Sequence, residues 1–372
     1  MPTRVLMTST SYPRDLADWK GVFIRNMAGA IAEDRTIDLQ LWAPPGDLPK
    51  DVGTATTQSE SAWLDQLMSS GGVSHLIREG KFSAVWAPLK LLYLLRQCYA
   101  RQADVDLYHL NWLQCGLPLP ANGKPALLTV LGNDLKLMKL PLVRRLLRKV
   151  MRHRPVAICP NAEWMLPELQ AAFGDIAEVT PVSFGIDPIW YGIERTPALP
   201  RRWLAVTRLT ANKLGPLFEW SEPLFADGRR ELHLFGPMQE ETQIPDWVKY
   251  HGSASPHQLA TSWFPNASGL ITLSRHAEGR PQVMLEAMAS GLPIIASDMA
   301  AHASIVQHGK TGYLCDSPAT YTEALLALDD PSINAACGER SRAWAGNEYG
   351  TWSDCADRYR SIYRRLLSAP HA

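Results

Sequence analysis

Two glutamates, Glu278 and Glu286, stand eight residues apart in the stretch of this chain richest in chemistry, residues 273–297. The order there is an apolar run, a turn of glycine and proline, a helical pattern, and a second apolar run starting at Pro293. Pro281 suits the first position of a helix, and Gly291 suits its end. The first amides of a helix have no partner inside it. The turn therefore presents the backbone N–H groups of Gln282, Val283 and Met284 as an anion site. Glu278 falls in the turn and Glu286 about one and a half helical turns inside, so both carboxylates can face one bound molecule. The plainer alternative is an ordinary strand–helix–strand unit with two solvated glutamates.

Several well-known patterns fail. No Gly-x-Gly-x-x-Gly links a first strand to its helix, which leaves a nicotinamide cofactor without support. Gly309-Lys310-Thr311 ends like a phosphate-binding loop, but the required first glycine would fall on Ser304. Asp104 and Asp106 are spaced like a metal-holding pair, yet they lead straight into an apolar run, where turn acids are common. No Gly-x-Ser-x-Gly elbow occurs. Six cysteines (Cys98, Cys115, Cys159, Cys315, Cys337 and Cys355) are scattered without a Cys-x-x-Cys pair, and no histidines gather at zinc-ligand spacing. That usage reads as a reduced, cytosolic chain with no metal site.

The elements that must position these residues follow a βα alternation from end to end, the pattern of parallel sheets. Apolar runs at 5–8, 39–42, 107–110, 126–131, 156–159 and 179–183 read as strands of a first unit, with helical stretches such as 22–32 and 162–172 between them. A second series occupies 203–207, 232–235, 269–274 and 293–297. Between the two series, residues 185–201 hold Pro188, Pro197 and Pro200, the composition of a linker. Residues 352–367 close the chain as an amphipathic helix. The expected architecture is two doubly wound α/β domains facing a cleft at the carboxyl ends of both sheets, where ligands of such sheets bind.

Composition narrows the choice. The chain has 372 residues, 46% hydrophobic and 20% charged, which suits two globular domains. Its 37 basic and 37 acidic side chains cancel, so no global field grips nucleic acid. The N-terminus lacks the apolar core of a signal peptide. No run of 18 apolar residues spans a bilayer, and the nearest candidate, 82–95, carries Lys90 and reads as a buried or half-buried helix.

Residues 273–297 resemble the Glu-x7-Glu element of family 4 glycosyltransferases, retaining enzymes of GT-B fold. Glu278 and Glu286 have that spacing, and Ala287-Met288-Ala289-Ser290-Gly291-Leu292-Pro293 matches the usual continuation. The resemblance implies that Glu278, with Gly279 and Arg280, meets the donor sugar, and that Glu286 holds the ribose hydroxyls of the nucleotide. About 70 residues earlier, Arg208 and Lys213 resemble the family's Arg-x4-Lys at the end of the first strand of the nucleotide domain. Two cations there can clamp a diphosphate and offset charge on the leaving group. Weaker likenesses follow in family order. Gly21 stands in the glycine-bearing loop near the donor phosphates, and 106–112 resembles the Asp-x-x-His-x-His strand end. Residues 131–134 resemble His-Gly-x-Asp, 184–187 the Asn-Gly-Val-Asp hinge entry, and 309–312 the late Gly-x-x-Gly turn. Asn111 and Leu131 replace histidines, which leaves His109 as the catalytic candidate of that region, with simple packing as its alternative. Arg280-Pro281 replaces the usual Phe-Gly, removing one backbone N–H and bearing on the donor sugar.

The resemblance gives domains at 1–185 (acceptor-binding), 186–350 (nucleotide-sugar-binding) and 351–372 (a C-terminal helix returning to the first domain). It implies transfer of a sugar from a nucleotide-diphosphate sugar to a hydroxyl acceptor with retained configuration. No metal and no cofactor is expected, because Arg208, Lys213 and the helix start at Gln282 take the metal's part. The acceptor class is a lipid-linked or polysaccharide-precursor glycan. A GT-B sugar-nucleotide epimerase and a catalytically silent nucleotide-sugar-binding scaffold are the competing readings. Residues 136–154 hold eight basic side chains and no acid, with leucine and valine at helical spacing. Arg144, Arg145, Arg148, Lys149 and Arg152 are thus expected to form an acceptor or membrane surface against anionic lipid. A core-facing helix with a solvated basic face is the alternative. No interleaved aromatics accompany the charge, so nucleic acid is not an expected partner. The expected location is the cytoplasm, with peripheral attachment to the inner face of the membrane.

Overall fold

The computed structural model describes residues 2–70, 83–132, 134–276 and 279–369. The chain divides into two compact units, residues 1–184 with 352–372, and residues 185–351.

The first unit is built on strands β1 (Thr3–Thr8), β2 (Ile37–Trp42), β3 (Val52–Thr54), β4 (Leu107–Asn111), β5 (Ala126–Val130), β6 (Val156–Pro160) and β7 (Glu178–Val179). They form one sheet in the order β3-β2-β1-β4-β5-β6-β7, and every pairing is parallel. Every residue of β4, β5 and β6 is buried, which explains their continuous apolar runs in place of alternation. Helices Gln58–Ser69, Ser83–Arg101, Pro141–Met151 and Leu166–Phe173 share one core with one face of the sheet. Helices Val22–Ala32 and Trp352–Ser368 share the core on the other face.

The second unit holds β8 (Arg201–Val206), β9 (Arg230–Phe235), β10 (Val248–Tyr250), β11 (Ala267–Thr272), β12 (Ile294–Ser297) and β13 (Gly312–Cys315), again all parallel, in the order β10-β9-β8-β11-β12-β13. The strand order reverses between β8 and β11. At such a switch point the flanking loops leave in opposite directions and open a crevice at the carboxyl edge.

Several expectations change. The strand expected at 179–183 is regular only over Glu178–Val179, although the Thr180 and Val182 amides go on donating to the Ile158 and Pro160 carbonyls of β6 at 3.1 and 2.9 Å. The basic stretch 136–154 is two helices, Asp134–Met138 and Pro141–Met151, since a helix does not run through the residue preceding a proline, here Leu140. The helix expected over 82–95 runs Ser83–Arg101, with Phe82 outside the described residues. Asp104 and Asp106 are strand-entry anchors: Asp106 accepts from the Arg4 amide at 2.8 Å, and Asp104 pairs with the Arg4 guanidinium. All six cysteines are free and buried.

Candidate functional site

The switch point of the second unit is assembled by backbone before any side chain acts. After β8, Thr210 caps a single helical turn, Ala211–Leu214, by accepting from the Lys213 amide at 3.3 Å. Gly215 ends that turn at φ +54°, and a Cβ there would lie 2.0 Å from the Leu273 carbonyl oxygen. The Arg275 amide donates to the Asn212 carbonyl at 2.8 Å. The loop after β8 and the loop after β11 are therefore in direct contact, and only glycine fits at their closest approach. On the other side, the Ser297 hydroxyl at the end of β12 donates to the Ser274 carbonyl at 2.6 Å. The loop after β9 joins through Leu209, whose amide donates to Pro237, and through Glu240, which accepts from the Ala211 amide at 2.8 Å.

Arg208 and Lys213 ride on the first of these loops. Arg208 is half-buried and makes one long bond, 3.4 Å, to Gln239; Lys213 is 8% exposed. Helix Gln282–Ala289 starts from the second loop. Pro281 is its N-cap, one residue before the expected position, with extended ψ of 116°. The Met284 amide donates to the Pro281 carbonyl at 3.2 Å. The anion site expected of three amides is thus one of two, Gln282 and Val283. The Gln282 side chain donates to the Gly185 carbonyl at 2.9 Å, tying the helix start to the first residue of the unit. Gly291, at φ +69°, follows the helix end as expected.

Glu286 lies one turn inside this helix. Its carboxylate keeps some solvent access, yet it is enclosed by protein and no hydrogen bond reaches it among the described residues. Burial, with the negative charge of Asp187 second, pushes its pKa up to about 8. Asp187 itself caps the short helix Pro188–Tyr191. A half-enclosed carboxylate with no donor is suited to hydroxyls brought by a ligand. Arg280 is buried with its guanidinium 4.9 Å over the Tyr349 ring. Gly279 is buried beside it, and Glu278 lies outside the described residues. Among the described residues no group of three or more His, Cys, Asp or Glu is placed to hold a metal ion.

In the first unit, Gly21 is required by its backbone. Its φ is +68°, and a Cβ would approach Ser11 and Tyr12 backbone atoms at 2.9 Å. It thus fixes the loop after β1 against the start of helix Val22–Ala32. His109 departs from its catalytic expectation. It is fully buried, with Nδ1 2.5 Å from the Tyr363 hydroxyl and Nε2 3.0 Å from the Thr129 hydroxyl. Burial drops its pKa to about 3, so it stays neutral and anchors the C-terminal helix to the sheet. Arg148 also leaves the expected surface: its guanidinium is bidentate to Asp175 and reaches the Ala172 carbonyl at 2.6 Å. Arg144, Arg145, Lys149 and Arg152 are exposed.

Sequence reasoning missed Asp187 as the charge beside Glu286, and Gly215 and Thr210 as the residues shaping the Arg208–Lys213 loop. A threonine three residues before Lys213 is a capping signal that could have marked that turn.

Two doubly wound parallel units, each with the strand order of a nucleotide-binding sheet, define the GT-B fold. Residues 204–330, within the second unit, match the family described as "Glycosyl transferases group 1". Among curated proteins, the chain is 32% identical over 103 residues to N-acetyl-alpha-D-glucosaminyl L-malate synthase of Bacillus anthracis, covering 27% of each chain. It is 33% identical over 129 residues to D-inositol 3-phosphate glycosyltransferase of Gordonia bronchialis, covering 34% of this chain and 27% of the relative. The chain thus spans about a quarter of the length of these relatives. Among solved structures, sucrose-phosphate synthase of Thermosynechococcus elongatus superposes with a TM-score of 0.72 at 15% identity, covering 98% of this chain and 99% of that one. Anabaena HepE in complex with UDP and glucose gives 0.68 at 14% identity, covering 98% and 100%. Among the described residues, no helix is long and apolar enough to cross a membrane.

Proposed function

We propose that this protein is a retaining glycosyltransferase of family 4 type, moving a hexosyl group from a nucleoside-diphosphate sugar to a hydroxyl of a glycan acceptor. The observation that carries the reading is the backbone union of the Arg208–Lys213 loop with the loop that opens helix Gln282–Ala289, with the Glu286 carboxylate left without a donor. The UDP-bound neighbour and the family match over 204–330 support it.

In this reading Arg208 and Lys213 hold the diphosphate, and the amides of Gln282 and Val283 complete its cradle. Glu286 receives the two ribose hydroxyls, and Glu278 the hydroxyls of the sugar. The bond from the anomeric carbon to the diphosphate breaks while the bond to the acceptor oxygen forms on the same face. The acceptor proton passes to the departing phosphate oxygen. Arg208 and Lys213 stabilise the charge that develops there, which makes the reaction independent of metal. The first unit supplies acceptor recognition, and the acceptor is a lipid-linked or polysaccharide-precursor glycan met at the inner face of the membrane.

Thermal-shift titration with UDP-, GDP-, ADP- and dTDP-sugars, with and without magnesium, tests this directly. A donor at about a hundred times its Kd should raise stability by about 2.7 kcal/mol. A metal-independent shift with one nucleotide class, followed by a product of unchanged anomeric configuration, is the expected result. No shift with any donor refutes the assignment, and donor conversion to an epimer without acceptor moves it to an epimerase.

A further inference from the structure

The first unit has a switch point of its own, and a strained tryptophan stands on it. The strand order of this sheet reverses between β1 and β4, whose ends Thr8 and Leu110 lie side by side. Trp112, the first residue beyond β4, has φ +74° and ψ 138°. A bulky side chain is an outlier there, because its Cβ crowds the backbone. Among the described residues only Asp51 shares a positive φ without being glycine.

The surroundings hold that conformation in place. The Trp112 amide donates to the Thr129 carbonyl at 3.0 Å, and its own carbonyl accepts from the Cys115 amide at 3.1 Å. The next amide, Leu113, donates to one oxygen of Asp134 at 2.8 Å, and the Leu131 amide donates to the other at 2.8 Å. One buried carboxylate thus clips the loop after β4 to the loop after β5. Strain over-determined in this way clusters where the placement of a residue serves a ligand.

The conformation displays an aromatic ring beside an unsatisfied acceptor. The half-buried Trp112 ring meets Phe23 edge-on, with centroids 6.3 Å apart. Phe23 stacks on Phe184 at 5.2 Å, and Phe184 packs on Trp352 at 5.6 Å. Phe184 and Trp352 are buried and anchor the row in the core, so Trp112 and Phe23 are its accessible end. Immediately before the ring, the buried Asn111 side chain donates to the Thr8 carbonyl across the switch point at 3.1 Å. Its Oδ1 has no donor among the described residues.

That pair of features fits one ligand chemistry. A pyranose ring carries apolar C–H groups, which pack on an aromatic surface, and hydroxyls, which donate. An ionised phosphate brings neither an apolar face nor a hydrogen to donate. A wholly apolar ligand leaves the Asn111 oxygen unpaired. We propose that Trp112 is the platform on which a pyranose ring of the acceptor packs, with a ring hydroxyl serving Asn111 Oδ1 directly or through one water. The inference rests on the transferase reading and deepens it, by naming a sugar ring as what the first unit recognises and Trp112 as the residue that sets specificity for it.

Whole protein labelled with fluorotryptophan reports on each indole separately, and the Trp112→Phe variant identifies the resonance of Trp112. Methyl glucoside, methyl mannoside and methyl N-acetylglucosaminide are the probes. At least one should move the Trp112 resonance, and glycerol, which brings hydroxyls without a ring face, should not. A resonance that answers to none of the pyranosides, or equally to glycerol, overturns the inference. In transfer to a pyranoside acceptor, Trp112→Leu should raise the acceptor KM about tenfold or more. The donor KM and the donor-induced thermal shift should stay as in the wild type, and Trp112→Phe should recover most of the loss. A Trp112→Leu variant that loses melting temperature but keeps its acceptor KM makes the residue structural and overturns the proposal. A rise confined to the donor KM overturns it too. Absence of any donor shift in the wild type fails the transferase reading, whereas the fluorine titration needs no donor and tests the sugar platform by itself.

Discussion

Glu286 makes the stability of the empty protein depend on pH in a direction opposite to that of most carboxylates. Its pKa rises from 4.5 to about 8, first because burial disfavours the charged form and second because Asp187 is close. Between those two values the folded protein holds a proton that the unfolded chain has lost. The stabilisation is therefore complete below 4.5 and disappears as pH rises through 8. Other groups act over part of this range. His109, lowered from 6.5 to about 3, and His233 and His251, also lowered by burial, make stability rise with pH until the unfolded imidazoles have lost their protons about a unit above 6.5, and Asp134, raised from 3.8 to about 6, makes it fall. The raised cysteines add a falling component at higher pH. Glu286 is separated from these groups by difference: between pH 6.5 and 8 its titration removes about 1.5–2 kcal/mol that a variant without the carboxyl keeps. Urea unfolding at intervals across that range should show this loss in the wild type relative to Glu286→Gln. That variant, an isostere of the protonated acid, should be stable and keep only the slope of the other groups. A wild type whose slope equals that of the variant would refute the placement of Glu286 in an enclosed, donor-free position.

The same proton should reappear in binding. If ribose hydroxyls bond to the ionised carboxylate, a UDP-sugar binding at pH 7 releases close to one proton, seen by calorimetry in buffers of different ionisation heat; no release in any buffer removes Glu286 from the donor contacts. Removing either diphosphate cation, by Arg208→Ala or Lys213→Ala, should cost about 1.5–3 kcal/mol of transition-state binding, a loss of about ten- to 150-fold in kcat/KM. Full turnover in either variant would contradict its role. His109→Ala should lower stability by about 2–4 kcal/mol by unpairing the Tyr363 hydroxyl and opening a cavity, with kcat per folded molecule unchanged. A kcat that falls at constant stability would restore His109 to the chemistry.

What the sequence reveals here depends on how local the determining contacts are. Helix Val22–Ala32 and the central strands were legible because Gly21, an apolar period of 3.6 and runs of buried residues each act within a few positions. Strands Val52–Thr54, Val248–Tyr250 and Gly312–Cys315 were not: they are edge pairings of three or four residues, held on one side only, and leave no apolar run. The proposed donor site is legible in the sequence for a related reason. The order β8, cation loop, β11, helix start recurs along the chain as motif spacing, and the parallel topology alone brings β8 and β11 side by side. The limit is set by partners distant in sequence. Nothing near His109 announces Tyr359 and Tyr363, which close over it from the last helix. Nothing near Arg148 announces Asp175. Both residues have the type that chemistry uses, and both are consumed by a packing partner. Glu286 differs from them in having no internal donor among the described residues, and that difference, visible only in three dimensions, is what supports reading it as a ligand-binding side chain.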